Sequence, residues 1–162
     1  MTQIIPYSQL LQLRNSIHFQ GKTVVLVTGV FDLFHQEHQQ LLTKAKAVGD
    51  ILLVGVETDT RARQLKDANR PQDKLEQRLT HIQNCHVADY VFTLPEDFGN
   101  SKIREDFVLN LKPHILAVSG STPNLGDKRR VMKLVDGQVL IVHDHNPAIS
   151  TTKLLAKIKK VY

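Results

Sequence analysis

Cysteine is nearly absent from this chain: Cys85 stands alone among 162 residues. One cysteine cannot close an internal disulfide and supplies no CxxC metal site, so a reducing cytoplasm is the simplest setting. Long apolar runs are missing too. No stretch approaches the ~20 residues needed to cross a bilayer, and no membrane partner is expected. The opening MTQIIPYSQL lacks a basic segment followed by an apolar one, so no signal peptide is expected. Aromatic residues make up only 6% of the chain, and no nucleic-acid motif accompanies them. The formal charge of +5 is explained equally well by a small phosphorylated substrate or by the solvated basic end KLLAKIKKVY, and nucleic acid is not expected as a partner.

What is present is a balanced globular composition, with 41% hydrophobic and 23% charged residues. The length suits one domain over residues 1–162, with residues 1–20 as an N-terminal helical extension and 150–162 as a C-terminal helix. Apolar runs and breakers alternate in a strand–helix rhythm. KTVVLVTG and DILLVGVETD read as buried strands. EHQQLLTKAKAVGD reads as a helix with His38, Leu41, Leu42 and Ala45 on one face. DKLEQRLTHIQN and SKIREDFVLNL read as helices, DYVFTL, HILAVSG and GQVLIVHD as strands, and STTKLLAKIKK as the closing helix. This alternation predicts an α/β protein: a Rossmann-like three-layer α/β/α sandwich with a mainly parallel, five-stranded sheet. Ligands in such sheets bind beyond the C-terminal strand ends.

Three segments beyond strand ends carry candidate chemistry. In TGVFDLFHQEH, Gly29 permits close backbone approach, and Asp32 can organise the turn through bonds to nearby N–H groups. His35 and His38 share the face of a helix start, where free N–H groups and the helix dipole favour phosphate. An ordinary strand–turn–helix with incidental histidines is the competing reading. Ser150, Thr151 and Thr152 form a second candidate cradle, with an ordinary Ser/Thr cap as the alternative. Lys66 and Arg70 lie in what reads as a polar loop, able to clamp a phosphate or simply to face solvent.

TGVFDLFHQEH resembles the G-x-F-D-x-x-H-x-G-H signature of the cytidylyltransferase-like nucleotidyltransferases, and ISTTKLL resembles that family's I-S-T-T signature. SQLLQLRNSIHFQGKTVVLVTGVFDLFH and RQLKDANRPQDKLEQRL are similar to segments of the adenylyltransferase domain of bifunctional heptose enzymes. The resemblance implies in-line attack of a substrate phosphate on the α-phosphorus of a nucleoside triphosphate, with release of pyrophosphate. It implies catalytic roles for His35, His38 and Lys66. Nucleotide contacts would come from Thr28, Gly29, Val30, Phe31, His35, His38, Ser150, Thr151 and Thr152. Substrate contacts would come from Asp32, Arg70, Ser119 and Ser121. Mg²⁺ would accompany ATP or CTP rather than sit in a protein cage, and a homodimer is common among the relatives.

The chain departs from the pattern in three places. Glu37 replaces the Gly of H-x-G-H and is expected to face the nucleotide, competing with phosphate for helix-start N–H groups; the alternatives are an outward carboxylate or one that helps hold Mg²⁺. Val118 and Ser121 stand where the heptose enzymes have Lys and Asp. His145 stands where glycerol-phosphate cytidylyltransferases carry Arg. The expected function is AMP transfer to a sugar phosphate. A CTP-using enzyme for an alcohol phosphate and a nucleotide-binding protein without catalysis are the alternatives.

Overall fold

The computed structural model describes residues 1–144, 146 and 148–161, the side chains of 17, 160 and 161 excepted. The strands are β1 (Gln3–Ile4), β2 (Val24–Gly29), β3 (Ile51–Val56), β4 (Tyr90–Thr93), β5 (Ile115–Ser119) and β6 (Gln138–His143). They form one sheet in the order β1-β4-β3-β2-β5-β6, and every pairing is parallel. The chain steps outward from β2 to β3 to β4, then crosses back to β5 beside β2. The C-terminal ends of β2 and β5 therefore flank the switch point, where the two halves of the sheet leave a crevice.

The sheet has six strands rather than the expected five. The extra strand, β1, is short and has no alternation to betray it. It becomes a strand because the Gln3 and Ile5 N–H groups donate to Asp89 and Val91 carbonyls, each at 3.0 Å. The rest of the N-terminal segment is helix α1 (Tyr7–Arg14), which buries Leu10, followed by a separate 3₁₀ turn at Ile17–Phe19.

Side-chain alternation along the strands builds two cores. Val24, Leu26 and Leu53 face one side and pack with Leu10, Phe107 and Met132. Val25, Val27, Leu52 and Val54 face the other and pack with Leu42, Ala45 and Ile82. Helices α2 (Gln36–Lys46) and α4 (Leu75–Asn84) cover the second face, while α1 and α5 (Ser101–Leu111) cover the first. This is the expected three-layer arrangement.

Two helices were not foreseen. The stretch read as polar loop contains α3 (Asp59–Leu65), started by Thr58, whose side chain accepts the Arg61 N–H at 3.1 Å. Helix α6 (Leu125–Lys133) buries only Val131 and Met132, so its sequence carries little apolar signal. Helix α7 (Thr151–Val161) closes the described chain.

Arg78, on α4, has no exposed side-chain surface. Its guanidinium donates to the Val30 carbonyl at 2.7 Å, the Glu57 carbonyl at 2.8 Å, the Asp73 carbonyl at 3.1 Å and Asp59 Oδ1 at 2.7 Å. The two carbonyls just beyond β2 and β3 thus hang on one side chain. Arg78→Met leaves them without a donor, and the expected loss is about 3–5 kcal/mol of unfolding free energy. Arg78→Lys recovers little of it, because an ammonium lacks the planar fork. Urea unfolding of both variants measures this; a midpoint unchanged in Arg78→Met would contradict it.

Candidate active site

The β2–α2 turn is held in an unfavourable backbone conformation. Phe31 and Leu33 both have positive φ, 55° and 46°, which costs a non-glycine residue on the order of 1–3 kcal/mol. Gly29 makes the turn possible, since a Cβ there would lie 3.1 Å from the Phe31 ring. Asp32 supplies the restraint. Its carboxylate accepts Arg70 Nε at 2.7 Å, the Asp73 N–H at 2.9 Å and the Gln72 N–H at 2.9 Å. Burial pushes the Asp32 carboxyl up, but the Asp73 and Gln72 N–H groups and the Arg70 guanidinium outweigh it and hold it below the usual carboxylate range. Asp32 therefore organises the turn, as its residue type suggested, but through bonds to a loop some forty residues away rather than to its own neighbours.

The second helix start is fastened to the same turn. Thr151 Oγ1 donates to the Asp32 carbonyl at 2.7 Å, and Ser150 Oγ accepts the Lys153 N–H at 3.1 Å, capping α7. Thr152 remains exposed. Thus two of the three expected phosphate-binding hydroxyls already carry structural bonds.

At the α2 start, the His35 N–H donates to His38 Nδ1 over 3.4 Å, and the two imidazoles stack with centroids 3.8 Å apart. His38 Nδ1 is consequently an acceptor, which puts the proton of the neutral ring on Nε2. Burial, His35 and Lys66 push the His38 pKa down to about 3, with Asp32 and Glu37 opposing them. At neutral pH this ring offers a hydrogen-bond donor to an anion, not a charge.

Glu37 is turned away from solvent, and its carboxylate is held by protein donors. Its side chain is 7% exposed, and Oε2 lies 2.7 Å from His143 Nε2. The Asn146 N–H donates to the same oxygen at 3.0 Å. On the other side of the imidazole, Lys44 Nζ is 3.1 Å from His143 Nδ1. An ammonium only donates, so Nδ1 accepts and Nε2–H points at Glu37. The expectation that this carboxylate competes with phosphate is corrected: it ties the α2 start to the end of β6 and to the segment leading into α7. No sequence spacing signals this, because 106 residues separate the partners. His145 lies outside the described residues.

These segments enclose a cleft in two lobes. The outer lobe, about 340 Å³, is lined by Thr28, Gly29, Val30, Phe31, His35, Glu37, His38, Lys66, Arg70, Ser119, Ser121, Ser150, Thr151 and Thr152, among others. The inner lobe, about 460 Å³, shares the β2–α2 turn and adds Asp32. Every residue expected at the site thus borders the cleft. Lys66 is the C-cap of α3 and is exposed. Arg70 is 4% exposed and paired with Asp32, so its first role is structural. Ser119 and Ser121 sit side by side, with Oγ atoms 3.2 Å apart. The inner lobe also brings in Glu57, Arg61, Phe98 and Arg104, which the sequence reading missed. Glu57 directly follows β3, and the rule that functional residues follow parallel strands would have found it. Among the described residues, no group of three or more His, Cys, Asp or Glu side chains is placed to hold a metal ion, and no helix is long and apolar enough to cross a membrane.

A parallel sheet with its cleft at the switch point, walled by two helix starts and a paired histidine turn, is the architecture of a nucleotidyltransferase-type fold. The chain belongs to the cytidylyltransferase-like family, whose profile matches residues 26–157. It is similar to the bifunctional protein HldE of Pelobacter propionicus, 32% identical over 144 residues, covering 88% of this chain and 28% of that protein. HldE of Yersinia pestis is 30% identical over 146 residues, covering 86% of this chain and again 28% of the relative. The chain thus matches only a minor part of these relatives' length. Among solved structures, the lipopolysaccharide core biosynthesis protein of Thermoplasma volcanium aligns with a TM-score of 0.62 at 27% identity, covering 76% of this chain and 96% of that one. A pantoate-beta-alanine ligase of Francisella tularensis aligns with a TM-score of 0.71 at 14% identity, covering 98% and 77% respectively, and shares the fold.

Two measurements check the site's construction. Glu37→Gly removes the acceptor for two donors, so it is expected to lower stability by about 1–3 kcal/mol. A double-mutant cycle with His143→Gln should return a coupling free energy above about 0.5 kcal/mol; additivity would contradict the contact. For His38, the folded-state pKa of about 3 lies below its ordinary 6.5, so the unfolded chain takes up a proton that the folded one refuses. Stability should fall as pH drops from 6.5 toward 3, ahead of any loss from Asp32, whose ordinary value is 3.8. His38→Gln should flatten that slope in urea unfolding at a series of pH values.

Proposed function

We propose that this protein transfers a nucleoside monophosphate, AMP by preference, from a triphosphate to a small phosphorylated metabolite of the sugar-phosphate class. An oxygen of the acceptor phosphate attacks the α-phosphorus. The new P–O bond forms as the bond to the bridging oxygen of the β-phosphate breaks, and pyrophosphate leaves with that oxygen. The observation that carries this reading is the convergence of the β2–α2 turn, the α3–α4 loop, the β5 end and the α7 start on one cleft.

Each group has a physical role in that scheme. The backbone of Thr28–Phe31 lies along the cleft and would run beside the nucleotide. Neutral His38 would donate Nε2–H to a phosphate oxygen, with His35 stacked behind it. The first turn of α7 would hold the β- and γ-phosphates through its N–H groups and Thr152. Lys66 would meet the charge that builds on the reacting phosphates. Catalysis of this type is positioning and charge neutralisation, with no covalent enzyme intermediate. Asp32 and Glu37 are both committed to protein donors, so they do not fit a Mg²⁺ cage; the ion would enter as part of the nucleotide substrate. ATP is favoured over CTP by the resemblance of RQLKDANRPQDKLEQRL to the adenylyltransferase domain of the heptose enzymes, and a homodimer is the assembly we expect.

The decisive experiment is pyrophosphate release with each of the four triphosphates against a panel of phosphorylated metabolites. We expect turnover with ATP and a sugar phosphate, and a rise in melting temperature with MgATP. Lys66→Ala should lower kcat on the order of a hundredfold with little change in nucleotide affinity. Nucleotide binding without turnover would favour a binding protein; no thermal shift with any nucleotide at millimolar concentration would sink both readings.

A further inference from the structure

The inner lobe of the cleft adds residues to which the proposed nucleotide contacts assign no role. Glu57, just beyond β3, is 7% exposed, and its Oε2 has no hydrogen-bond partner among the described residues. Arg61, in the first turn of α3, has a buried Nε that likewise lacks a partner, while its Nη1 donates to Gln64 Oε1 at 3.3 Å. Both residues line the cavity. A buried acceptor and a buried donor left unsatisfied cost about 1–3 kcal/mol each. Native proteins tolerate few such groups, and a pair of opposite kind on one cavity wall is suited to a ligand that supplies what each lacks.

Neighbouring charged groups are already engaged. Arg104 donates to the Phe98 and Gly99 carbonyls at 3.3 and 2.6 Å and to Asp127 at 3.3 Å. Lys128 donates to the Pro123 carbonyl at 2.7 Å. The Arg61 guanidinium lies against Gly99, where a Cβ would come within 2.8 Å of it, so the glycine leaves room for this placement.

We propose that Glu57 and Arg61 are the specificity-determining pair for the acceptor, and that they read hydroxyl groups of a polyhydroxylated phosphate ester. The proposal rests on the nucleotidyltransferase reading and deepens it. A hydroxyl both donates and accepts, so one sugar hydroxyl, or two adjacent ones, satisfies Glu57 Oε2 and Arg61 Nε together. Charge excludes the rival chemistries. Burial pushes the Glu57 carboxyl up, against the guanidinium groups of Arg61, Arg78 and Arg104 that pull it down, and an ammonium-bearing acceptor at this wall would meet the Arg61 cation. A carboxylate-bearing acceptor would meet Glu57 itself. A neutral hydroxyl completes the hydrogen bonds without changing the charge balance. Phe98, Phe107 and Met132 on the same lobe offer carbon surface to the C–H face of a sugar.

The test is calorimetric titration of the full chain with Mg²⁺ and a non-hydrolysable ATP analogue present. The probes are glycerol 3-phosphate, ribose 5-phosphate and mannose 1-phosphate as hydroxyl-bearing esters, phosphoethanolamine as the ammonium form, and phosphoglycolate as the carboxylate form. At least one of the first three should bind at least tenfold more tightly than the last two. Glu57→Gln and Arg61→Met should each weaken that probe at least tenfold and leave the affinity for the ATP analogue within twofold. The melting temperature of Arg61→Met without ligand should match or exceed the parent's, because it removes an unsatisfied donor; a merely structural role would lower it. Should Glu57→Gln fold poorly, Arg61→Met carries the same comparison. Preference for phosphoethanolamine or phosphoglycolate, no binding of any hydroxyl-bearing probe, or unchanged probe affinity in a folded variant would each overturn the assignment while leaving nucleotide binding intact. Failure of the ATP analogue itself to bind would instead overturn the nucleotidyltransferase reading, and the assignment with it.

Discussion

The cleft depends on one buried guanidinium. Parallel strands leave their C-terminal carbonyls pointing out of the sheet, and beyond β2 and β3 those of Val30 and Glu57 need donors where water is excluded. Arg78 supplies both from the first turn of α4, and also donates to the Asp73 carbonyl and the Asp59 carboxylate. One planar cation thereby sets the height of two strand ends, the start of α3 and the loop before α4 relative to one another. The β2–α2 turn and the α3 side of the candidate site descend from those elements, and the β5 end and the α7 start complete its walls.

Asp32 adds the second restraint, and the two work in sequence. With the strand ends held by Arg78, the N–H groups of Gln72 and Asp73 are presented to the β2–α2 turn, and Asp32 accepts them together with Arg70. These charge-assisted bonds offset the strain at Phe31 and Leu33. The Asp32 carbonyl then receives Thr151, so the same residue also locates the α7 start. Among the groups left facing the outer lobe of the cleft are a neutral imidazole, exposed Lys66 and the first turn of a helix. All three favour an anion.

Glu37 shows how a change within a motif can be read wrongly from sequence. Judged by its position in H-x-E-H, a carboxylate at a helix start competes with phosphate. In the fold it lies against β6, where His143 donates to it and Lys44 donates to His143. The electrostatic cost expected for the nucleotide is replaced by a Lys–His–Glu chain that braces the approach to α7. Arg70 was misread in the same manner: as a polar-loop cation it looked available to a phosphate, and its depth beside Asp32 was invisible.

The sequence by itself determined the layer order and where to look. Apolar periodicity near two marks a strand and near three and a half a helix, because burial of one face is a local requirement of each element. It located most of the elements, and the segments following β2 and β3 and opening α7. Its failures were local signals too weak to read: β1 is two residues long, α3 is largely polar, and α6 buries only Val131 and Met132. What only the tertiary structure decided was the destination of each polar side chain. Asp32 meets Arg70, Glu37 meets His143, and Glu57 Oε2 and Arg61 Nε are left without partners among the described residues, because hydrogen bonds and ion pairs are satisfied between whichever groups packing brings within about 3 Å, and packing joins residues a hundred positions apart.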